Sequence, residues 1–301
     1  MQQNTELVRA LAAQILCGTE PFPFGICTFA EVQPCLDCRA AQRLPAKAAS
    51  VLCCLFPYYT GDWPQRNISR YAMVSDYHRI AGEYLERFCQ ALSAHFPDQS
   101  FAWFTDNSPI REVSAAFHAG LGRRGKNGLL LHPVYGSYVF IGEVVTDLAL
   151  LPDRPLDPPD CIGCGKCQRI CPQGALQPDG SIDLSRCRSH ITQKKGELSD
   201  EEIAQIRAGG LIWGCDLCND ICPMNRDARR LTPVPEFLSS VQPVFDEQLA
   251  QEMLKDRAFN YRGKKTILRN IALLHDGEQR FCTDFPEEEE NRRNLGEIYL
   301  F

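Results

Sequence analysis

The sequence predicts an α+β protein made of a mixed α/β domain, a cysteine-rich module and a short helical C-terminal segment. Three observations support this division: strand-like and helix-like runs fill the first 150 residues, four prolines fall within residues 150–160, and two cysteine runs follow. A chain of 301 residues with 44% hydrophobic residues is long enough to bury a sizeable core. We therefore assign the domain to residues 1–155, the module to 156–230 and the helical segment to 231–301.

Within the first domain, two strands and one helix are predicted directly by the residue pattern. Residues 49–58 and 137–150 are apolar, β-branched and aromatic, as expected of buried strands. Residues 76–96 show the 3.6-residue apolar spacing of an amphipathic helix. Neither element tolerates the prolines of residues 150–160, so the domain boundary lies there.

The charge and hydropathy patterns exclude two broad classes of protein. A net charge of -6 argues against broad non-specific nucleic-acid binding, although the basic runs at 120–128 and 261–270 could each form a local binding surface or a solvated face. No segment approaches the roughly 18 apolar residues of a membrane span, and the N-terminus lacks the pattern of an export signal. We expect a cytoplasmic monomer with no membrane contact.

The first cysteine run, residues 161–172, has the spacing C-x2-C-x2-C-x3-C-P. In bacterial ferredoxins, three thiolates of this run hold one [4Fe–4S] cluster and the fourth holds the neighbouring cluster. A pair of zinc ribbons is the alternative, but zinc sites typically use two separated CxxC pairs. The run therefore predicts an iron–sulfur cluster.

The second run, residues 213–225, has only three cysteines, so one cluster needs a ligand from elsewhere. Cys187, which lies between the runs, is the best donor, and the region becomes a ferredoxin-like double-cluster module. A three-cysteine cluster with an open iron is the alternative, but its usual CxxxCxxC run is absent. The crossed pattern predicts one cube on Cys161, Cys164, Cys167 and Cys222, and the other on Cys171, Cys187, Cys215 and Cys218.

The other eight cysteines are expected to be small buried hydrophobic residues. The pair Cys35 and Cys38 forms a lone CxxC, which could also bind a metal or cycle between redox states, so its role stays open.

Two cubes form a path for electrons, so the first 150 residues should hold the electron acceptor. This part contains neither a GxGxxG fingerprint nor a P-loop, and therefore no motif supports nicotinamide or ATP binding. The glycine-rich, basic stretch at 122–128 suits an anion but is weak evidence by itself.

Several stretches together resemble the epoxyqueuosine reductases, cobalamin and iron–sulfur enzymes of tRNA queuosine synthesis that are related to reductive dehalogenases. The resemblance rests on the full cysteine order including Cys187 and on four further segments. These are "ISRYA" with "DYHRI" (68–80), "FTDNSPIREVSAAFHAGLGRRGKNGLLL" (104–131), "GSYVFIGEVVTDL" (136–148) and "RGKKTILRN" (262–270).

The resemblance implies a corrin-binding domain in residues 1–155, two [4Fe–4S] clusters, and removal of the epoxide oxygen of epoxyqueuosine. An external low-potential donor such as ferredoxin or flavodoxin would supply the electrons. Asp106 matches the family's proton donor, which calls for a buried carboxyl with a raised pKa beside Phe101, Trp103 and Phe104; a simple turn role is the alternative. The implied cofactor contacts are Gly122, Lys126, Asn127, Gly136 and Ser137.

His78 is not assigned as a cobalt ligand, because its spacing to Gly82 misses the DxHxxG pattern by one residue. Longer family members carry a C-terminal helical-repeat domain that helps to hold tRNA, whereas this chain ends at Phe301 after an acidic run. We therefore expect a weak, salt-sensitive tRNA contact. Its candidate residues are Arg262, Lys264, Lys265, Arg123, Arg124 and Lys126. Two alternatives remain: the same cofactors acting on a free nucleoside or another small molecule, or an electron-transfer or corrinoid-reactivating protein.

Overall fold

The computed structural model of the chain describes residues 1–275. Its first domain is built on a four-stranded antiparallel sheet in the order β1-β2-β6-β3, and a two-stranded hairpin of β4 and β5 stands apart from it. The strands are β1 (Phe24–Thr28), β2 (Ser50–Pro57), β3 (Phe101–Phe104), β4 (Arg123–Arg124), β5 (Leu130–Leu131) and β6 (Val139–Thr146). Both predicted strands are present, as the central pair β2 and β6.

Helices cover both faces of the sheet. Helices α1 (Gln2–Ile15) and α2 (Tyr77–His95) pack on one face, and α3 (Glu112–His118) packs on the other. Strand β2 is buried along its whole length, because alternate residues of a strand point to opposite faces and both faces are covered. This double burial explains why the sequence there is a continuous apolar run.

Helix α2 matches the predicted helix of residues 76–96 and begins with a side-chain cap. The carboxylate of Asp76 accepts a hydrogen bond from the backbone N–H of His78 at 3.0 Å, which satisfies one of the free donors of the first turn. The apolar face of α2 packs on the sheet, while its solvent face carries charged residues.

The cysteine-rich part is a set of short helices joined by loops. They are α4 (Lys166–Ile170), α5 (Arg188–Thr192), α6 (Asp200–Gly209), α7 (Leu217–Asp220) and α8 (Pro223–Arg226). Helices α4 and α7 pack against each other, and this contact brings the two cysteine runs together although residues 173–212 separate them in the sequence.

The described part of the C-terminal segment, residues 231–275, is helical, as predicted, and packs back on both preceding parts. It contains α9 (Pro235–Ser239), α10 (Glu247–Glu252) and α11 (Lys264–His275). Short 3-10 helices complete the described chain at Phe29–Val32, Arg39–Arg43, Arg70–Ala72, Leu254–Asp256 and Ala258–Arg262. Ile68 of the first domain, Trp213 of the cysteine-rich part and Phe259 of the C-terminal segment share one apolar core. The predicted acidic run and Cys282 lie outside the described residues.

A buried ion network joins the first domain to the cysteine-rich part. The carboxylate of Asp220 accepts from Arg70 Nε at 2.9 Å, from Arg66 Nη2 at 3.1 Å and from the Tyr138 hydroxyl at 2.8 Å. Asp216 accepts from Arg66 Nη1 at 3.3 Å and from the backbone N–H of Arg70 at 2.9 Å. Because these four charged side chains are at most 9% exposed, their pairing fixes the relative placement of the two parts.

No helix within residues 1–275 has the length and hydropathy needed to cross a membrane.

Candidate functional site

One group of four cysteines lines a recess at the boundary between the first domain and the cysteine-rich part. Cys161, Cys164 and Cys167 of the first run face Cys222 of the second across an empty volume of about 330 Å³. Burial raises the pKa of the Cys222 thiol, and the neighbouring thiols of Cys164 and Cys167 raise it further. These are the four side chains that the crossed pattern assigns to the first cube.

The other four predicted ligands form a second neighbourhood. Burial raises the pKa of the Cys218 thiol most, and the thiols of Cys215, Cys187 and Cys171 add to this effect. Cys187 thus lies beside the second run, as its predicted role requires. Within residues 1–275, no three His, Cys, Asp or Glu side chains lie close enough together to hold a single metal ion. This spacing is compatible with a cube, because each of its four ligands binds a different iron.

Backbone geometry around the first run suits a cluster loop. Gly163 and Gly165 both have φ of +69°, a left-handed conformation that side chains with a Cβ rarely adopt. Gly165 is also the residue from which α4 begins. In the same run, the backbone N–H of Ala175 donates to the sulfur of Cys171 at 3.3 Å. This N–H···S contact is of the kind that tunes iron–sulfur clusters.

Four of the five predicted cofactor contacts are engaged in contacts within the protein. Gly122 packs against the backbone of β5, and the buried Asn127 donates to the carbonyl of Cys218 at 3.4 Å. Gly136 packs against the side chain of Asn225, and the backbone N–H of Ser137 donates to Asn225 Oδ1 at 2.9 Å. The contacts of Asn127, Gly136 and Ser137 brace the cysteine-rich part against the domain.

The fifth predicted contact, Lys126, is exposed and lines the recess of the first cysteine group together with Gly125. The basic loop therefore lies beside the first cluster position.

A second group of polar side chains collects at the end of the sheet where β2 and β3 finish and β6 begins. Asp106 follows β3, and its Oδ2 lies 3.2 Å from Nε2 of His78 and accepts from the Tyr77 hydroxyl at 3.1 Å. The other ring nitrogen of His78 lies 2.6 Å from Oδ1 of Asp76. The Tyr77 ring stacks on Phe140 of β6, with centroids 4.0 Å apart, which fixes the N-terminus of α2 against the sheet.

The prediction that Asp106 is a buried carboxyl with a raised pKa is wrong. Its side chain is 55% exposed, and the hydrogen bond from His78 is the main cause that lowers the pKa of its carboxyl. The expected apolar walls face elsewhere: Trp103 packs on Gly82 of α2, Phe101 joins the same side, and Phe104 lies in the core beneath α3. Neighbouring residues of a strand alternate between its two faces, so these three aromatic side chains cannot line one pocket together.

His78 has the complementary electrostatic environment. Burial alone would lower the pKa of its imidazole, but the hydrogen bonds to Asp106 and Asp76 outweigh burial and raise the pKa to about 9. Both ring nitrogens are engaged, so neither lone pair is free to bind a metal.

Two carboxyl groups beside Asp106 were missed by the sequence analysis. Glu112, the first residue of α3, accepts from the backbone N–H of Asp106 at 2.7 Å. Glu143, in the middle of β6, is fully buried and accepts from the Ser108 hydroxyl at 2.7 Å. A glutamate inside an otherwise apolar strand was the available signal, because charged residues are almost never fully buried without a partner.

The lone CxxC pair lies near this group. Cys35 and Cys38 are both half-buried, and burial raises the pKa of the Cys35 thiol. The segment contacts the loop after β3, since the N–H of Leu36 donates to the carbonyl of Pro109 at 2.7 Å. Metal binding and redox cycling by this pair stay predictions.

Two protein families match parts of the chain. Residues 39–107 match the family described as "Epoxyqueuosine reductase QueG, DUF1730", and residues 160–225 match the "4Fe-4S double cluster binding domain". The second match spans all eight predicted cluster ligands.

Curated relatives carry the name epoxyqueuosine reductase. The protein from Cyclobacterium marinum is 32% identical over 238 residues, which are 76% of this chain and 74% of the relative. The protein from Synechocystis sp. is 36% identical over 65% of this chain and 69% of its own length. The protein from Escherichia coli is 33% identical over 68% of this chain, and this chain spans just over half of it, 56%.

Solved structures agree with these relatives. A structure of epoxyqueuosine reductase with an epoxyqueuosine-modified tRNA-Tyr stem loop matches with a TM-score of 0.72 and 25% identity, over 90% of this chain and 80% of the other. The Bacillus subtilis enzyme, solved with its catalytic aspartate loop swung out of the active site, gives the same values. A catabolic reductive dehalogenase shares the fold, with a TM-score of 0.50 at 19% identity over 92% of this chain and 37% of its own.

The sequence-based predictions of an α+β fold, of an oxidoreductase and of iron–sulfur clusters are confirmed, and the chain belongs to the epoxyqueuosine reductase family.

Proposed function

We propose that this chain reduces epoxyqueuosine to queuosine in tRNA, and that Asp106 and His78 deliver a proton to the departing epoxide oxygen. The observation that carries the proposal is the 3.2 Å contact between the Asp106 carboxylate and the His78 ring. It lies at the end of the sheet that also meets the cysteine-rich part. Proton and electron sources would therefore meet on one side of the first domain.

The cysteines suit two [4Fe–4S] clusters. The first would be held by Cys161, Cys164, Cys167 and Cys222, and the second by Cys171, Cys187, Cys215 and Cys218. Thiolates in two groups of four are the donor set that such clusters require. The lining of the first recess and the N–H···S contact at Cys171 both support this assignment.

Cobalamin would bind between the loop after β3 and the cysteine-rich part. The Thr105 hydroxyl of that loop donates to the carbonyl of Ile141 in β6, and the bracing Ser137 lies two residues before β6 begins. His78 would not hold the cobalt, because both of its ring nitrogens are engaged by carboxylates. When bound, the cobalamin and the clusters supply the electron pair for the reduction.

The side chains of the site control protons. Conversion of an epoxide to an alkene and water takes up two electrons and two protons. Asp106 is ionised and His78 is protonated, so the pair together holds one proton within a hydrogen bond of the exposed carboxylate. Tyr77 donates to the same carboxylate oxygen and orients it. A positioned acid of this kind typically contributes about 100- to 10,000-fold to the rate.

Substitution of Asp106 by Asn tests the proposal. The amide keeps the shape of the side chain but cannot relay a proton, so turnover of epoxyqueuosine should fall about 100-fold or more while the clusters and cobalamin are still reduced. Asp98→Asn, at an exposed position beyond α2, is the matched control and should retain full activity. Wild-type turnover by Asp106→Asn would refute the role of Asp106, and a wild type that consumes no epoxyqueuosine would refute the function.

The tRNA would contact the C-terminal segment. Lys264 and Lys265 are exposed in the first turn of α11, where a positive charge opposes the helix dipole and a phosphate would offset that cost. Assays with tRNA and with the free nucleoside separate this proposal from a small-molecule reductase. We further propose a cytoplasmic monomer that takes electrons from a ferredoxin or flavodoxin, because its substrate would be a tRNA and its clusters need a low-potential donor.

A further inference from the structure

We infer that Glu112 is a positioning residue that holds the second proton of the reaction behind Asp106. This inference rests on the proposed function and deepens it, because it concerns the same site. It begins from a hydrogen bond on the protein side of Asp106, opposite the face that is open to solvent.

Glu112 holds the backbone of the Asp106 loop. Its Oε1 accepts from the N–H of Asp106 at 2.7 Å, where Asp106 and Asn107 have φ of +50° and +41°. Two consecutive non-glycine residues in this region are uncommon, and they cost free energy that surrounding contacts must offset. The Glu112 carboxyl is one such contact, so its state bears directly on where Asp106 lies.

Behind Glu112 lies a second, fully buried carboxyl. Glu143 is 0% exposed; its Oε2 accepts from the Ser108 hydroxyl, and its Oε1 has no hydrogen-bond partner among residues 1–275. An unpartnered oxygen at this depth is costly for a carboxylate but not for a protonated carboxyl, which can donate. The loop of Asp106 is therefore flanked on its inner side by two carboxyl groups.

The groups that face Glu112 set its protonation. Asp106 of the loop and Glu143 of β6 are negative when ionised, while His78 of α2 is a positive neighbour. Beyond Glu143 lie the thiols of Cys27, Cys53 and Cys35. Burial, and then the charge of Asp106, raise the pKa of Glu112 to about 7. Near neutral pH, Glu112 is thus partly protonated although Asp106 beside it is not.

The proton count of the reaction matches this arrangement. Both C–O bonds of the epoxide break, the electron pair forms the alkene, and the oxygen leaves as water with two protons. His78 holds one proton on the outer side of Asp106, and Glu112 holds one on the inner side. After His78 has given up its proton through Asp106, Glu112 can supply the next, and both groups recover protons from solvent once the product leaves.

Glu112→Gln separates this role from a structural one. The Gln side-chain oxygen can still accept from the N–H of Asp106, but the amide cannot carry a proton. We expect turnover to fall about 10-fold or more with KM unchanged, and the decline of activity as pH rises through about 7 to disappear. Glu112→Asp, which keeps a titratable group, should restore that pH dependence in part. Glu83→Gln, at an exposed position on α2, is the matched control.

Infrared difference spectra provide a readout that does not need turnover. Wild-type protein should show a protonated carboxyl that titrates near pH 7, and Glu112→Gln should lack it. Absence of this signal in the wild type, or unchanged rate and pH dependence in Glu112→Gln, would overturn the inference. A wild type that shows the signal but never consumes epoxyqueuosine would refute the proposed function and leave the proton on Glu112 established.

Discussion

Replacement of Asp220 by Asn should destabilise the protein strongly, because Asp220 is the centre of the buried ion network. Its side chain is 1% exposed and accepts from Arg66, Arg70 and Tyr138. With Asp216, it balances the two guanidinium groups charge for charge. The Asn side chain retains the volume and one acceptor oxygen but removes one of the two buried negative charges, so that Arg66 keeps only Asp216 and Arg70 keeps only the 60%-exposed Asp62 among their carboxylate partners within residues 1–275.

The magnitude follows from the loss of this buried negative charge. Breaking a buried ion pair by removing one partner typically costs about 3–5 kcal/mol. Total stabilities are about 5–15 kcal/mol, so the loss is a large fraction. At this chain length, roughly 2 °C of melting temperature are lost per kcal/mol, which gives a decrease of roughly 5–10 °C.

Anaerobic thermal unfolding of the cluster-loaded protein, together with its iron content, measures this effect. Asp227→Asn is the matched control, since Asp227 lies a few residues further on with its side chain 90% exposed and 3.9 Å from Arg226. Such a pair contributes about 0–1 kcal/mol, so the melting temperature of the control should barely change. Equal melting temperatures for Asp220→Asn and Asp227→Asn would refute the view that this network joins the two parts.

Three further outcomes are expected. Cys187→Ala should lower the iron content or convert one cluster to a three-iron form, visible by electron spin resonance, whereas Cys89→Ala, a core cysteine of α2, should keep the full iron content. His78 has a pKa of about 9 in the folded protein against 6.5 in the unfolded chain. Its contribution to the free energy of unfolding is therefore complete below about pH 6.5 and is lost as the pH rises through about 9. In His78→Gln, this pH-dependent loss of stability should be absent. Replacing Lys264 and Lys265 by Gln should weaken tRNA binding and reduce its salt dependence, as titrations at two salt concentrations would reveal; tight binding that ignores salt would contradict this surface.

Features set by local pattern were predictable from the sequence. Strand β2 and helix α2 follow from apolar periodicity. The eight cluster ligands stay a prediction, which rests on fixed cysteine spacing because a short loop must wrap a cube. The protonation of Asp106 was not predictable. It depends on His78, which lies 28 residues earlier in the chain and meets Asp106 only because α2 begins beside the end of β3. A pKa set by tertiary neighbours cannot be obtained from flanking residues.

The proposed electron-transfer part and the proposed proton-transfer part of the site are held in place by different kinds of contact. Ser137, Asn219 and Asn225 form a buried hydrogen-bond network between the sheet and the helices that carry the second cysteine run. Electron transfer depends on a fixed distance, and a fully satisfied buried network supplies that rigidity. Asp106, in contrast, lies on an exposed loop with positive φ, held by Glu112 and by His78. Because this loop is exposed and strained whereas the network is buried and fully paired, we expect substrate entry to displace the Asp106 loop and to leave the network in place.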